Sequence, residues 1–439
     1  MFVLELLKVT GGVCINDKDL NVNFKGISTS SKDICKDNVF VALSGKKFDG
    51  HQFVEEAIKK GASAVIIQKE LDIETEVPLI LVDDTYKSLM LIGKFLRDNF
   101  KGDVIAVTGS AGKTMTKELI YDILSTKYHC LKSEGNKNNH IGVPLTLGKL
   151  DNSVEMAIIE MGMNHRGEIS NLSKMVKPST SIITNIGSSH IGNLGSKKNI
   201  FKAKMEIIDG MDGGDLIING DDKYLKKVKL TKINVLKDSK LFLKKVISDF
   251  DKTKFIYIYD NKEYEFTLNM PGKHLVKNCT VAIMVGIKYG ISFNDMIEVI
   301  KKYKPLNNRL NIKKVKKNII IDDCYNSNYE AVISLIDYLK DINKNKVIIL
   351  GDILELGKFS KKIHKKIGKL LHKNKFNNLL FVGEYMYYAH KKNKNSKYFK
   401  TNNELIDYLK QINIENSVIL IKGSRGMHLE QVVDYFIKK

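Results

Sequence analysis

The stretch Asp103–Lys127, DVIAVTGSAGKTMTKELIYDILSTK, decides the fold of the central part of this chain. It opens with a short, β-rich apolar run closed by Gly109, which predicts a buried strand. Apolar residues then recur at helical spacing, which predicts an amphipathic helix from near Lys113. Two glycines lie between strand and helix, where backbone N–H groups can surround phosphate oxygens, and Lys113 and Thr114 are placed to meet phosphate and magnesium. The stretch predicts a nucleotide-binding phosphate loop.

This loop departs from the usual phosphate-loop pattern at one position. Val107 stands where a full pattern has its first glycine. A glycine turn that binds nothing is the alternative interpretation. Because the Lys-Thr pair, the strand before it and the helix after it all agree, we favour nucleotide binding and expect ATP.

The composition is that of a globular protein with several domains. The chain has 439 residues, of which 43% are hydrophobic and 28% charged, so two to four domains are expected. No apolar run approaches the roughly 18 residues of a membrane span, and the opening MFVLELLKVT carries Glu5 where a signal peptide is apolar, so we expect a cytoplasmic location. The five cysteines include no CxxC pair, which argues against a disulfide framework and a thiolate zinc site.

The net charge of +21 has several possible meanings. Nucleic acid, an anionic membrane surface and anionic small substrates all attract a basic protein. The lysines lie in dispersed clusters such as Lys313–Lys317 and Lys361–Lys366, without interleaved aromatic residues, which favours solvated surface. We therefore expect no nucleic-acid partner and no stable membrane insertion.

The fold class predicted from the whole chain is α/β with three domains. Residues 1–101 alternate short β runs and helical patterns, which predicts a small α/β domain. Residues 102–305 predict a mostly parallel sheet, with an antiparallel extension where YIYDNKEYEF at Tyr257–Phe266 signals a hairpin. Residues 306–439 follow a linker at Lys304-Pro305 and repeat βα units, which predicts a second parallel sheet.

Two further strands of the central domain are predicted to end in side chains suited to metal binding. VEMAIIEMG (Val154–Gly162) reads as a strand ending in Glu160, and SIITNIGSSH (Ser181–His190) as one ending in His190. Because carboxyl ends of parallel strands line one crevice, both should converge on the phosphate loop. Glu160 could hold magnesium, and His190 a second divalent ion. Each residue alone is more often structural, so their joint placement carries the prediction.

Three other loops combine polar residues with glycine. ISTSSK (Ile27–Lys32) and SGKKFDGH (Ser44–His51) lie beside predicted strands of the first domain, where ligand loops are common, and either reading, ligand loop or turn, is open. EGNKNNHIGVP (Glu134–Pro144) contains Asn138 and Asn139, which could hydrogen-bond a polar ligand or build their own turns.

Taken together, these motifs resemble the Mur ligase family, which adds amino acids to the peptide of the bacterial cell-wall precursor. The shortened TGSAGKT loop is similar to the family's own phosphate loop. GNKNNHIGVPLTLG, EMGMNHRGEIS, DDCYNSN, LGDILELG and IKGSRGMHLE are similar to those of members that join D-alanyl-D-alanine to UDP-N-acetylmuramoyl-tripeptide. The resemblance implies a UDP-sugar domain, a central ATPase and a Rossmann-like domain. It also implies that ATP activates the tripeptide carboxylate as an acyl phosphate, which the dipeptide amine attacks.

The resemblance also implies roles for individual residues. The nucleotide and its phosphates would be bound by Gly109, Ser110, Ala111, Gly112, Lys113, Thr114, Asn278, Arg309, Asp323, Asn326 and Asn328. The metal ions would be held by Thr114, Glu160, His190 and a carbamylated Lys204, and Lys113, His190, Lys204 and Arg309 would serve catalysis. The UDP-sugar and peptide substrate would be bound by Thr29, Ser31, Phe48, Asp49, Gly50, His51, Asn138 and Asn139.

Other activities stay open at this point. A sibling ligase could add a third amino acid, or extend folate with glutamate. A nucleotide switch or nucleic-acid-binding ATPase is a different class, suggested by the positive charge. We expect a monomer that uses ATP and Mg²⁺ with the two small-molecule substrates named above.

Overall fold

The computed structural model describes residues 2–45, 48–237 and 241–438. Its first sheet has five strands, as the short β runs of residues 1–101 predict. The elements are α1 (Val3–Thr10), β1 (Val13–Cys14), β2 (Gly26–Ser28), β3 (Asn38–Val41), β4 (Ser44–Gly45), β5 (Phe48–Asp49), α2 (Val54–Lys59), β6 (Ala64–Ile67), β7 (Leu79–Leu81) and α3 (Thr85–Asn99). The strands lie in the order β1-β7-β6-β3-β2, parallel except for the β1–β7 pair.

The central sheet has six strands, all parallel. The elements are β8 (Asp103–Thr108), α4 (Lys113–Leu124), β9 (Cys130–Lys132), α5 (Gly142–Leu147), β10 (Met156–Glu160), α6 (Glu168–Val176), β11 (Thr180–Ile183), α7 (Ile191–Leu194), α8 (Lys197–Met205), β12 (Asp215–Ile218) and β13 (Asn234–Lys237). The strands lie in the order β13-β12-β11-β8-β10-β9. The predicted strand at Asp103 is β8, whose apolar residues are buried because the sheet is covered on both faces.

A separate antiparallel sheet follows, and this corrects one detail of the predicted fold. The hairpin signal at Tyr257–Phe266 is confirmed as a turn between two strands, but these strands form their own three-stranded sheet instead of extending the central one. Stacked aromatic rings, including Phe255 on Phe266 with centroids 5.3 Å apart, line the buried face of this sheet, which joins the same hydrophobic core as the central sheet. The elements are β14 (Phe242–Ser248), β15 (Thr253–Tyr259), β16 (Lys262–Leu268), α9 (Val276–Lys288) and α10 (Phe293–Lys302).

The last sheet has six strands, and the βα units predicted for residues 306–439 are confirmed. The elements are β17 (Asn311–Val315), β18 (Asn318–Asp323), α11 (Tyr329–Lys340), β19 (Asn345–Gly351), α12 (Ser360–Lys373), β20 (Asn378–Val382), α13 (Tyr387–His390), β21 (Lys397–Phe399), α14 (Asn402–Gln411), β22 (Ser417–Lys422) and α15 (Glu430–Lys438). The strands lie in the order β17-β18-β22-β19-β20-β21, parallel except for the β17–β18 pair. The sequence did not predict the edge strand β17, to which the lysine cluster at Lys313–Lys317 contributes.

A large cleft lies between the central and last parts of the chain. Its volume is about 960 Å³, and its walls come from the carboxyl ends of central strands and from loops of the last sheet. None of the helices in the described ranges has both the length and the apolar run needed to cross a bilayer.

Candidate active site

The phosphate loop turns tightly between β8 and α4. A Cβ atom on Gly109 would lie 1.8 Å from Thr184 Oγ1, and Gly112 has a left-handed φ of 81° with Asn278 Oδ1 2.5 Å from the position of a Cβ. Asn185 braces the loop, because its backbone oxygen accepts the N–H of Ser110 and its Oδ1 accepts the N–H of Ala111. Two of the predicted phosphate-binding N–H groups are therefore already bonded. The N–H groups at the start of α4 have no partner within the helix and point to the phosphate site.

Lys113 begins α4 inside the cleft. Its Nζ donates to the carbonyl of Gly109 at 3.0 Å. Desolvation lowers the pKa of Lys113 below its ordinary value, whereas the carboxylates of Glu160 and Glu355 pull in the opposite direction. The Lys113 ammonium thus bridges the phosphate loop close to two carboxylates. This position suits it to contact the phosphate group that is transferred.

Glu160 ends β10 and is 1% exposed. Its Oε1 accepts a hydrogen bond from Asn138 Nδ2 at 2.8 Å, whereas Oε2 is buried and has no hydrogen-bond partner among the described residues. A buried carboxylate oxygen without a partner is costly unless a cation or donor completes it. Asn139 has a different task, since its Oδ1 accepts the N–H groups of Ile141 and Gly142 and so builds the turn before α5.

His190 lies on the same rim, but not at the end of a strand as the sequence predicted. The strand β11 stops at Ile183, and the following residues bond to the phosphate loop instead of continuing the sheet; Ser189 Oγ, for example, donates to the carbonyl of Ser110 at 2.9 Å. His190 follows in the left-handed conformation, with φ 60°. Its Nδ1 lies 2.9 Å from Oε2 of Glu355, a residue of the last sheet's loops.

Lys204 lies on α8 and is 2% exposed, and it is not among the residues that line the cleft. Burial and the neighbouring charge of Lys113 both lower its pKa well below the ordinary value. Within the described ranges, no carboxylate offsets these two influences on the pKa of Lys204. A lysine buried this way favours the neutral amine, which is the form that reacts with electrophiles.

The opposite wall of the cleft is formed by the candidate nucleotide contacts. The guanidinium carbon of Arg309 lies 3.9 Å from the centroid of the Tyr325 ring. Asp323 accepts from Lys422 at 2.6 Å and from the N–H of Leu310 at 3.1 Å. Asn326 and Asn328 also line the cleft on this side, whereas Asn278, on α9, lies beside Gly112 of the phosphate loop.

Two of these asparagines also hold backbone. Asn328 Oδ1 caps α11 by accepting the N–H of Ala331, while its Nδ2 lies 3.4 Å from the carbonyl of Ser110 and 3.2 Å from Ser189 Oγ. Asn326 Oδ1 accepts the N–H of Ser327. Asn328 therefore connects the last sheet to the phosphate loop.

Several cleft residues were not singled out from the sequence. His274 lines the cleft beside Gly272, and Lys422 is 2% exposed at the end of β22. Glu330 and Glu355 reach the cleft from the last sheet. The sequence signal for Lys422 and Glu355 was weak but present, because Lys422 ends an apolar strand and Glu355 follows one, each close to glycines.

The predicted sugar-binding residues of the first sheet do not line this cleft. Ser31 Oγ donates to Glu56 at 2.9 Å, and the buried His51 has its Nδ1 2.6 Å from Asp49 Oδ1 while its Nε2 accepts the N–H of Gln68. Lys69 and the hydrogen bonds of His51 hold the pKa of Asp49 well below its ordinary range. Thr29 lies in the turn after β2, Gly50 opens the short turn before α2, and Phe48 is exposed beside Phe53.

Comparison with known proteins follows the same three-part division. Residues 107–286 match the Mur ligase middle domain, 308–425 the Mur ligase glutamate ligase domain, and 23–99 the catalytic domain of the Mur ligase family. The chain is 33% identical to the UDP-N-acetylmuramoyl-tripeptide–D-alanyl-D-alanine ligase of Buchnera aphidicola over 100% of this chain and 98% of the relative. It is 33% identical to the Bacillus subtilis ligase of the same name over 99% and 98%.

Solved structures agree. A crystal structure of MurF from Acinetobacter baumannii superposes with a TM-score of 0.91 at 29% identity, covering 100% of this chain and 98% of that one. The MurF ligase of Thermotoga maritima in complex with ADP gives 0.84 at 27% identity, covering 96% and 98%. From its sequence matches and its fold, the chain belongs to the Mur ligase family.

Proposed function

We propose that this protein is the ATP-dependent ligase that joins D-alanyl-D-alanine to UDP-N-acetylmuramoyl-tripeptide in peptidoglycan precursor synthesis. One observation carries the proposal: the phosphate loop, the unpaired Glu160 oxygen and His190 line the same cleft, together with loops of the last sheet. The names of the relatives described above support it.

The reaction needs a carboxylate to be made reactive toward an amine. The tripeptide carboxylate attacks the γ-phosphorus of ATP, and ADP leaves, which gives an acyl phosphate. The dipeptide amine then attacks the acyl carbon, and collapse of the tetrahedral intermediate releases phosphate and a proton. Lys113 and Arg309 reduce the repulsion between the two anions and stabilise the charge on the transferring group.

The residues present fit Mg²⁺. Glu160 offers an unpaired, buried oxygen and Thr114 a hydroxyl beside the phosphate loop, and His190 is the candidate ligand of a second ion. Within the described ranges there is no cluster of three or more His, Cys, Asp or Glu side chains suited to a metal. Mg²⁺ commonly keeps several waters and binds through few protein ligands plus substrate phosphates. Bound there, it would neutralise phosphate charge.

We also propose that Lys204 is carbamylated. Addition of its neutral amine to carbon dioxide, with loss of a proton, would convert a buried amine into an anion. Its burial and lowered pKa support this, because both leave the nucleophilic free amine. The anion could support the second metal ion and would relieve the repulsion between Lys204 and Lys113.

The remaining assignments follow the division of the fold. Residues 1–101 would bind the UDP-sugar through Thr29, Ser31 and Phe48–His51, residues 102–305 would bind ATP, and residues 306–439 would close over the nucleotide through Asp323, Asn326 and Asn328. Asn138 would present the peptide near Glu160. We propose that the chain acts as a monomer, since one copy supplies every group of the proposed site. We also propose the cytoplasmic location that the sequence predicts.

A panel of amines and acceptors tests the proposal. Purified protein with ATP and Mg²⁺ should release phosphate only when UDP-N-acetylmuramoyl-tripeptide and D-alanyl-D-alanine are both present, and the product should have the mass of the pentapeptide precursor. Release with UDP-N-acetylmuramoyl-dipeptide and a third amino acid, or with folate and glutamate, would instead identify a sibling ligase.

A further inference from the structure

Lys117 is a charged residue that is fully buried one helical turn beyond the phosphate loop. Its Nζ donates to the carbonyl of Ser133 at 2.5 Å and to that of Gly135 at 3.2 Å, and it lies 2.9 Å from Glu118 Oε1. An ammonium has three N–H donors, and these three partners match them. Removing a partner from a buried charge is strongly destabilising, so this arrangement holds α4 and residues 133–135 together.

The segment that Lys117 holds leads directly to Glu160. Ser133 is fully buried, and its Oγ accepts the backbone N–H of Glu160 at 3.1 Å. A few residues further along the same segment, Asn138 donates its Nδ2 to Glu160 Oε1 at 2.8 Å and accepts the N–H of Gly162 at 2.7 Å. The backbone N–H of Glu160 is thus bonded to a residue whose carbonyl accepts from Lys117, and its side chain is bonded to Asn138, three residues beyond Gly135 in the same segment.

We propose that Lys117 is a positioning residue for the metal site. It couples the phosphate-loop helix to the segment that aims the free oxygen of Glu160, and so sets how well Mg²⁺ strengthens nucleotide binding. Outer partners of metal ligands commonly change metal affinity when they are lost. The inference rests on the function proposed above, but it concerns the linkage between Mg²⁺ and nucleotide and can be measured without turnover.

The chain contains a matched control. Lys132 also pairs with Glu118, through Oε2, but the atoms it contacts do not include the carbonyls of residues 133–135. Lys117→Met and Lys132→Met each remove one lysine charge from the same carboxylate. Ser133→Ala removes the hydroxyl bonded to the Glu160 N–H while keeping Lys117.

The experiment measures the affinity of ADP by calorimetry in Mg²⁺ and in EDTA, for the wild type and each variant. For Lys117→Met we expect the ratio of the two affinities to fall about tenfold, with the affinity in EDTA nearly unchanged because the phosphate loop itself is intact. Ser133→Ala should shift the ratio in the same direction, and Lys132→Met should leave it at the wild-type value.

If folded Lys117→Met keeps the wild-type ratio of ADP affinities in Mg²⁺ and EDTA, the inference is overturned. An equal loss of affinity in both buffers is one such result. If Lys117→Met fails to fold, Ser133→Ala decides, since an unchanged ratio there contradicts the coupling. Failure of the proposed function gives a different result, namely an intact Mg²⁺ linkage without ligation of the dipeptide.

Discussion

Glu330 joins the last sheet to the loop that carries His190, and changing it to Gln tests this contact. Its Oε2 accepts the N–H of Ser188 at 2.9 Å and the hydroxyl of Ser188 at 2.7 Å, and Oε1 lies 2.9 Å from Lys197 Nζ. Although burial raises the pKa of Glu330, the nearby Lys197 ammonium and the hydrogen bonds from Ser188 more than offset this influence, and the pKa of Glu330 is lowered. The carboxylate is therefore charged at neutral pH.

The expected magnitude follows from these bonds. A hydrogen bond to a charged group contributes about 1.5–3 kcal/mol and is roughly twice as strong as a neutral one. Gln keeps one acceptor but loses the charge, so the contact should weaken by about 1.5 kcal/mol, which corresponds to roughly a tenfold change in a rate or equilibrium constant. Because the contact positions the His190 loop under the last sheet, we expect kcat/KM for the dipeptide to fall by this factor.

The assay compares kcat/KM for the dipeptide with the affinity for ADP. Glu330→Gln should lower kcat/KM for the dipeptide about tenfold and change the affinity for ADP little, because the polar contacts of Glu330 go to Ser188 and Lys197. Lys197→Met is the control: it removes only an ion pair with a half-exposed lysine, worth at most about 1 kcal/mol. Wild-type kcat/KM in Glu330→Gln, or an equal loss of ADP affinity, would refute the reasoning.

Three further changes act on other parts of the cleft. Lys113→Ala should lower turnover at least about a hundredfold while circular dichroism stays unchanged, and normal phosphate release would contradict its role. Lys204→Ala should lose activity and recover part of it with added acetate, which can enter the space left by the side chain; full activity without acetate would rule out a carbamate. Gly109→Ala places a Cβ 1.8 Å from Thr184 Oγ1, so overpacking should lower the free energy of unfolding by about 1–3 kcal/mol and weaken ADP binding. A wild-type melting temperature and a wild-type affinity for ADP would show that the loop has room for the added methyl group.

Local pattern predicted the strands and the phosphate loop well, because both depend on neighbours in sequence. The run from Asp103 and the helix from Lys113 are where periodicity places them. His190 was misplaced at a strand end because the residues after Ile183 bond to the phosphate loop, and no periodicity encodes such a tertiary contact. The antiparallel strands were attached to the wrong sheet for a similar reason, since a hairpin signal specifies its own pairing but not its neighbour.

The parts of the site that depend on distant contacts could not be predicted. Glu330 looks like an ordinary first-turn glutamate, and only the fold brings it to Ser188. Lys117 looks like one of many lysines, and its complete burial depends on the approach of residues 133–135. Lys204 was singled out by resemblance alone, and the structure adds the burial that makes its chemistry reasonable.

The transfer of oxygen from the acceptor to phosphate tests the central claim most directly. With tripeptide acceptor labelled with ¹⁸O in the reacting carboxylate, the released phosphate should contain one ¹⁸O atom per turnover, because that oxygen attacks the γ-phosphorus and leaves with it. Unlabelled phosphate formed together with ligated product would contradict activation of the carboxylate by phosphoryl transfer in this cleft.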